Sequence, residues 1–392
     1  MTPIPDPTLS SLATASVADQ VTGMVGNAVG VPGFQLRFSE DQITAAVAGF
    51  TDVLRSGTLL LGPHTAEFEH RFAELAGADV AAVSTGTAAL EIIYRIHDVA
   101  DRPVLVPTNT NFATARAVLA AGGRPVLYDG GLFPSLDDIE RQLRPDTAAV
   151  TVVHIGGHLS TDLPALRELT RSRGIFLIED AAHAHGSALE GRPAGVWGDA
   201  AAFSFFPTKP VTAFEGGAVV SNDPEILAAA RIYRNQGKDP ATGLHIVAGS
   251  SWRMSEVGAV LACVQLRQFA DDLADRHAIL ERYRRELGHL DGLRFPEIGD
   301  QEQLSGHKAI VLLADSATRD HVLVHLRRHG ITPAGGVYDR PLHQQPVFAD
   351  LVAGHYPLAE EFAATHLCLP LWNRMTSEEI DAVIAAVLDA IG

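Results

Sequence analysis

The chain predicts an α/β fold, a large, mostly parallel sheet covered by helices, with a smaller C-terminal α+β module behind it. Three observations lead there. Short β-rich runs recur with helical stretches between them. The runs are continuously apolar, without the alternation of a half-exposed strand. The rhythm stops near residue 250. DVAAV, RPVLVP, RPVLYD, AAVTVVH and GIFLIED are the runs, and GTAALEIIYRIHDV, NFATARAVLAAGG, SLDDIERQL and LPALRELTRSRG lie between them. Strands without alternation are buried on both faces, and helices of that spacing are the crossovers of βαβ units.

Taken in order, residues 1–34 are rich in Pro, Ser, Ala and Gly with weak periodicity and read as an N-terminal extension. Order begins at Ser39, where SEDQ has the Ser-x-x-Gln form of a capping box and ITAAVAGFTDVLRSG runs on to Gly57. HTAEFEHRFAELAG gives a second helix before the first strand. The large domain is expected over 35–270 and the smaller one over 271–392. A long helix starting near MSEVGAVLACVQLRQFADDLADRHAILERYRREL links them. In the smaller part HKAIVLLA reads as a strand, and RDHVLVHLRRHG and SEEIDAVIAAVLDAIG read as helices.

Composition excludes several classes. With 392 residues, 46% of them hydrophobic and 20% charged, the chain can bury a sizeable core. The net charge of -17, spread along the chain, leaves no basic face for nucleic acid. The two cysteines, Cys263 and Cys368, make neither a metal pattern nor a disulfide framework and suit a reducing compartment. The first residues lack the basic start and apolar core of a secretion signal, and no apolar stretch reaches the roughly 20 residues of a membrane helix. A soluble cytoplasmic protein is expected.

Ligands of open parallel sheets bind beyond the carboxyl ends of the strands, so the residues there matter most: STGT after VAAV, TNTNF after PVLVP, ED after IFLI. Gly86 and Thr87 sit in a turn that opens a helix, where free N–H groups suit a phosphate or simply an ordinary cap. Asp180 ends a buried strand and needs a partner, either a structural arginine or a protonated ring nitrogen. His183 and His185 follow. Structural histidines account for them as well as catalysis does, and no cysteine or carboxylate set joins them with His154 or His158, so no metal is expected. Phe112 opens another helix and packs in the core or stacks on a flat ligand. Lys209, in FSFFPTKPVTAFEGG, is isolated in an apolar frame. It is either a snorkelling surface lysine or an amine made neutral by desolvation, able to attack a carbonyl. A phosphate-type turn, an aromatic face, a carboxylate and a lysine together fit pyridoxal 5′-phosphate (PLP).

The motifs LRSGTLLLGPHTAEFE, STGTAAL, TNTNFATA, IEDAAHAHGS, GDAAAFSFFPTKPVTAFEGGAVVS, RNQGKD, SWRMSEVGA and PLHQQPVF occur in an order that resembles the DegT/DnrJ family of fold-type I, PLP-dependent nucleotide-sugar aminotransferases. The likeness runs from about residue 38 to the end. It implies that Lys209 carries PLP and moves the proton, that Asp180 pairs with the pyridine nitrogen, and that His183 lies against the phenolic oxygen. It further implies that Phe112 stacks on the ring and that Gly86, Thr87 and Ser204 hold the phosphate. Asn235 would reach a neighbouring subunit's site, which makes the expected assembly a homodimer with shared sites. Pro210 after the lysine and Phe214 before Glu215 depart from the family pattern. The implied reaction moves an amino group from L-glutamate or glutamine to a nucleoside-diphosphate keto-deoxysugar in deoxysugar and natural-product biosynthesis. DAAHAHG with AFEGG is similar to members that aminate C4 of a dTDP-sugar. Arg253, Lys238 and Arg340 are candidate donors to substrate phosphates, or solvated charges. A PLP-dependent sugar dehydratase on the same fold, which carries histidine at the lysine position, and a non-catalytic PLP-binding regulator are the alternatives.

Overall fold

The computed structural model describes residues 30–392 apart from Asp300, Gly335, Val352 and Ala353. The extension predicted over 1–34 therefore lies mostly outside the described residues. Its last stretch joins this chain itself: Val31 bridges Ile331 in parallel, with its N–H 3.0 Å from the Gly330 carbonyl.

The first part of the chain carries strands β1 (Asp79–Val83), β2 (Pro103–Pro107), β3 (Arg124–Tyr128), β4 (Ala149–Val153), β5 (Phe176–Asp180), β6 (Ala188–Leu189), β7 (Arg192–Pro193), β8 (Ala200–Ser204) and β9 (Gly217–Ser221). Seven of them form one sheet in the order β1-β9-β8-β5-β4-β2-β3. β3, β2, β4, β5 and β8 run parallel, and β9 is antiparallel to both β8 and β1. Reversal of that one strand leaves β1 pointing the same way as the parallel set. The carboxyl ends of β1, β5 and β8 therefore open on one edge, and the loop between β8 and β9 turns back across it.

The predicted two-sided burial is what the sheet shows. Leu105, Val150, Leu177, Phe203 and Phe205 enter one apolar cluster, while Val104, Val106, Ile178 and Val219 enter another on the opposite face. Helices α1 (Glu40–Ser56), α2 (Pro63–Ala76), α3 (Gly86–Ile96), α4 (Phe112–Ala120), α5 (Leu136–Gln142), α6 (Leu163–Ser172), α7 (Pro224–Arg234), α8 (Glu256–Leu266) and α9 (Phe269–Leu287) surround it. At α1 the capping box forms as the sequence requires, Ser39 Oγ accepting from the Gln42 N–H and Gln42 Oε1 from the Ser39 N–H, and Gly57 stops the helix at φ 70°.

The long helix expected near residue 254 is two helices. α8 is buried on every side from Gly258 to Gln265, whereas α9 buries one face only. Gln268, at φ -119° and ψ 14°, breaks the run between them. The Gln265 amide locks the end of α8, accepting from the Thr212 N–H and donating to the Thr212 carbonyl. A continuous rod could not satisfy both surroundings. The expected boundary at 270/271 falls in the first turn of α9, whose Phe269 and Leu273 belong to the large core and whose Ile279, Leu280, Tyr283 and Leu287 belong to the next.

That second core surrounds β10 (Leu293–Arg294), β12 (Ala309–Leu313) and β13 (His366–Leu369), an antiparallel sheet in the order β10-β12-β13, with α10 (Ser316–Arg328), α11 (Pro357–Thr365) and α12 (Ser377–Ile391) nearby. β11 (Glu302–Gln303) instead pairs with β6, tying this part back to the large sheet. No helix among the described residues is long and apolar enough to cross a membrane.

Candidate active site

The strand ends converge on a cavity of about 330 Å³ lined by Gly86, Thr87, Asp180, His183, Ser204 and Lys209 together with Thr85, Asn111, Phe206, Glu215 and Tyr338. Alternation along β8 explains half of it. Phe203 and Phe205 point into the core, edge-on to Phe72, while Ser204 and Phe206 face the cavity. FSFF is therefore a core anchor and a cavity wall interleaved, and it sets down Lys209 at the rim.

Lys209 is held by a tight loop. Its N–H bonds the Phe206 carbonyl at 2.9 Å, and Ala213 N–H returns to the Phe205 carbonyl at 2.9 Å. Pro210 costs this loop nothing in hydrogen bonding, since it has no N–H to satisfy. Phe214, where the family favours glycine, adopts φ 63°. Burial, opposed by the Asp180 carboxylate and reinforced by Lys308, brings the Lys209 amine down to about 7. That direction, with Lys209 on the cavity wall, favours a desolvated amine over the snorkelling alternative.

Asp180 is buried at the end of β5. Thr114 Oγ1 donates to its Oδ2 at 2.8 Å and the Ala182 N–H approaches its Oδ1 at 3.3 Å. Burial raises its pKa above the usual range, only partly offset by these donors and by Lys209. The partner is thus no structural arginine, and the carboxylate has room for a further cationic group. His183 Nδ1 accepts from the Gly156 N–H at 3.2 Å. Burial, with Lys209 next, keeps its pKa well below the ordinary value. The ring is neutral, and its proton sits on Nε2 as a donor. The rings of His307 and Tyr338 lie 4.3 and 5.9 Å from it.

Thr85 caps α3, its Oγ1 accepting from the Ala88 N–H at 3.0 Å. The N–H groups of Gly86 and Thr87 remain for an anion at the positive end of the helix. Glycine is required at 86 because a Cβ there would lie 2.8 Å from the Ser204 Cβ. The backbone and the Ser204 hydroxyl thus share one cradle. These residues fit PLP: an amine for the aldehyde, a buried carboxylate for the ring nitrogen, a neutral histidine donor, and a phosphate cradle.

Other sequence candidates lie elsewhere. Phe112 is half exposed and packs on Phe348, with centroids 5.5 Å apart, while its neighbours Asn111 and Ala113 line the cavity. Asn235 caps α7 and its Oδ1 accepts from Arg253 at 2.8 Å. Arg253, Lys238 and Arg340 do not line the cavity. His185 is enclosed by Phe72, Phe203 and Phe205. Sequence reasoning missed Tyr338 and Glu215 as wall residues and Thr114 as the donor to Asp180. Glu215 lay in the quoted AFEGG run, whereas nothing in sequence connects position 338 to position 183.

A family model, the DegT/DnrJ/EryC1/StrS aminotransferase family, matches residues 40–388. The chain is 36% identical over 343 residues to the erythromycin biosynthesis sensory transduction protein EryC1 of Saccharopolyspora erythraea, covering 86% of this chain and 92% of that one. It is 34% identical over 350 residues to the dTDP-3-amino-3,4,6-trideoxy-alpha-D-glucose transaminase of Micromonospora megalomicea, again covering 86% and 92%. Among solved structures, S. venezuelae DesV in complex with a ketimine intermediate is similar at a TM-score of 0.86 and 32% identity, over 92% of this chain and 98% of that chain. Since these likenesses span nearly the whole described chain, it belongs to the DegT/DnrJ/EryC1/StrS family and is a PLP-dependent sugar aminotransferase.

Proposed function

We propose that this chain transfers an amino group from L-glutamate, or glutamine, to a nucleoside-diphosphate keto-deoxysugar, specifically a dTDP-4-keto-6-deoxysugar, in amino-sugar biosynthesis. The observation that carries the reading is the Lys209 amine, lowered to about 7 and placed with Asp180 on one cavity. PLP, when bound, supplies the electron sink that lets a Cα–H bond break. The chain's residues do the rest. Lys209 would hold the cofactor, and its amine would move the proton at the reacting carbon. Asp180 keeps a positive charge on the ring nitrogen, and His183 Nε2–H supports the ring oxygen. Gly86, Thr87 and Ser204 fix the phosphate end, and Phe112 covers a ring face if its side chain turns inward.

Sharing of sites in a homodimer belongs to the same proposal. Lys209 is the one cationic side chain among the described lining residues, while cofactor and substrate both bring phosphates. A second copy would supply the missing positive charge. Asn235 and Arg253 are hydrogen-bonded beside a loop whose Leu244 and Ile246 are exposed, which suits an interface.

A second reading, amination at C3, is favoured by the activity for which the 34% identical Micromonospora megalomicea transaminase is named. A panel of 3-keto and 4-keto dTDP-sugars with L-glutamate, read by mass spectrometry, separates the two. An amino product from the 4-keto sugar is expected. Product from the 3-keto sugar alone moves the reaction to C3, and conversion of neither removes the dTDP-sugar reading. Loss of water without nitrogen gain would instead mark a dehydratase.

A further inference from the structure

We propose that His325, His329 and Asp389 form a surface site for a divalent transition cation of the zinc class, joining the C-terminal end of α10 to α12. The sequence expectation of no metal weighed only His154, His158, His183 and His185; the fold brings a carboxylate to another pair, His325 and His329, from at least 60 positions away. One ligand atom from each of the three residues lies within 4.8 Å of the others. Asp389 Oδ2 is already 3.0 Å from His325 Nε2. Tetrahedral bonds of about 2.0–2.1 Å need donors about 3.3 Å apart, so small rotations of the exposed His329 and Asp389 side chains close the remaining gap.

The histidines are prepared for this. They are four residues apart on one helix face, and their rings stack at 4.2 Å. His329 Nδ1 lies 3.0 Å from the His325 carbonyl. A carbonyl only accepts, so Nδ1 carries the proton and Nε2 keeps its lone pair. Such an outer hydrogen bond is what orients metal-ligating histidines. His329 is also the C-cap of α10, where the helix end carries partial negative charge. Two imidazoles and one carboxylate match Zn²⁺, Ni²⁺ or Cu²⁺, whereas Mg²⁺ and Ca²⁺ prefer all-oxygen shells. Water completes the coordination. Binding uses the lone pair of His325 Nε2, with any proton there passing to solvent, and no electron transfer is involved. The residues lie in the smaller module, apart from the PLP cavity, so the role is a clip rather than catalysis.

The test uses tag-free, PLP-loaded full-length protein stripped with EDTA and titrated calorimetrically with ZnCl₂, with CoCl₂ visible absorption as a second readout. One saturable equivalent per chain is expected, along with a higher melting temperature and no change in cofactor absorbance. His329→Ala and Asp389→Asn each weaken binding at least about tenfold and abolish the thermal shift. Both residues are exposed, so unchanged circular dichroism is expected of the variants. Absence of stoichiometric binding, retention of wild-type affinity in both variants, or displacement by equimolar Mg²⁺ would overturn the assignment.

Discussion

Lys209 takes its character from two opposed influences: burial drives off its proton while the Asp180 carboxylate retains it. The balance near neutrality has a direct consequence. Competitive labelling of the apoprotein with an amine-directed reagent is expected to show Lys209 half-reactive close to pH 7. Replacement of Asp180 by Asn is expected to move that midpoint lower, because the stabilising charge is gone. A midpoint above 9 would mean a solvated lysine. Asp180→Asn would also remove the charge proposed to face the ring nitrogen and is expected to lower kcat by about 10²–10³-fold, the usual scale for a lost preorganised electrostatic group. Much of the site was legible at this scale. Asp180 and the Ser84–Thr87 turn stand at or just beyond the ends of strands, and in a parallel sheet neighbouring strand ends share an edge, whereas Ser204 came only from the family resemblance. Phe112 was less so, because a helix-opening residue can face either way and here its ring rests on Phe348.

β5 shows how one element serves site and scaffold together. Its last two residues point to opposite faces. Asp180 enters the cavity. Glu179 is fully buried on the other side, accepting from the N–H groups of Gly195, Trp197 and Gly198 at 2.9, 2.7 and 2.6 Å and from His154 Nε2 at 2.8 Å. Burial alone would raise its pKa, but the His154 hydrogen bond and the backbone donors outweigh it, and the pKa falls below 4.5. A depressed acid contributes stability that is present above its unfolded value and lost as pH falls through the folded one. Glu179→Gln is therefore expected to cost about 3 kcal/mol at neutral pH and to flatten the decline in stability below pH 4.5 seen by chemical denaturation. An unchanged acid limb would contradict the role. Most of the helices and five of the seven strands of the large sheet could be read from pattern, whereas Pro224–Arg234, Pro357–Thr365, β8 and β9 were not. The division of α8 from α9 could not, since no Gly or Pro marks it and its cause is a change in what surrounds the chain.

Among the described residues, α9 links the apolar clusters of the large sheet to the one around the small sheet, with the cavity opening where the large sheet ends and Tyr338 closing it from the C-terminal part. Contacts over such sequence distances, like that of Tyr338 with His183 or Asp389 with His325, leave no trace in local pattern. Exposure of Leu59, Leu60, Phe214, Leu244 and Ile246 is expected to be relieved in a homodimer. Leu244→Lys with Ile246→Lys should shift sedimentation to the monomer, leave circular dichroism intact, and reduce kcat/KM at least about tenfold, equal to ~1.4 kcal/mol of transition-state stabilisation. A monomer with full activity would remove the shared site.

The proposed covalent bond between Lys209 and PLP would underlie all of this chemistry. Borohydride reduction of the PLP-loaded protein, followed by proteolysis and mass spectrometry of the peptides, tests it most directly. The account predicts a single reduced cofactor adduct on the peptide containing Lys209, absent in Lys209→Ala. An adduct on another lysine, or none on active and cofactor-loaded protein, would contradict it.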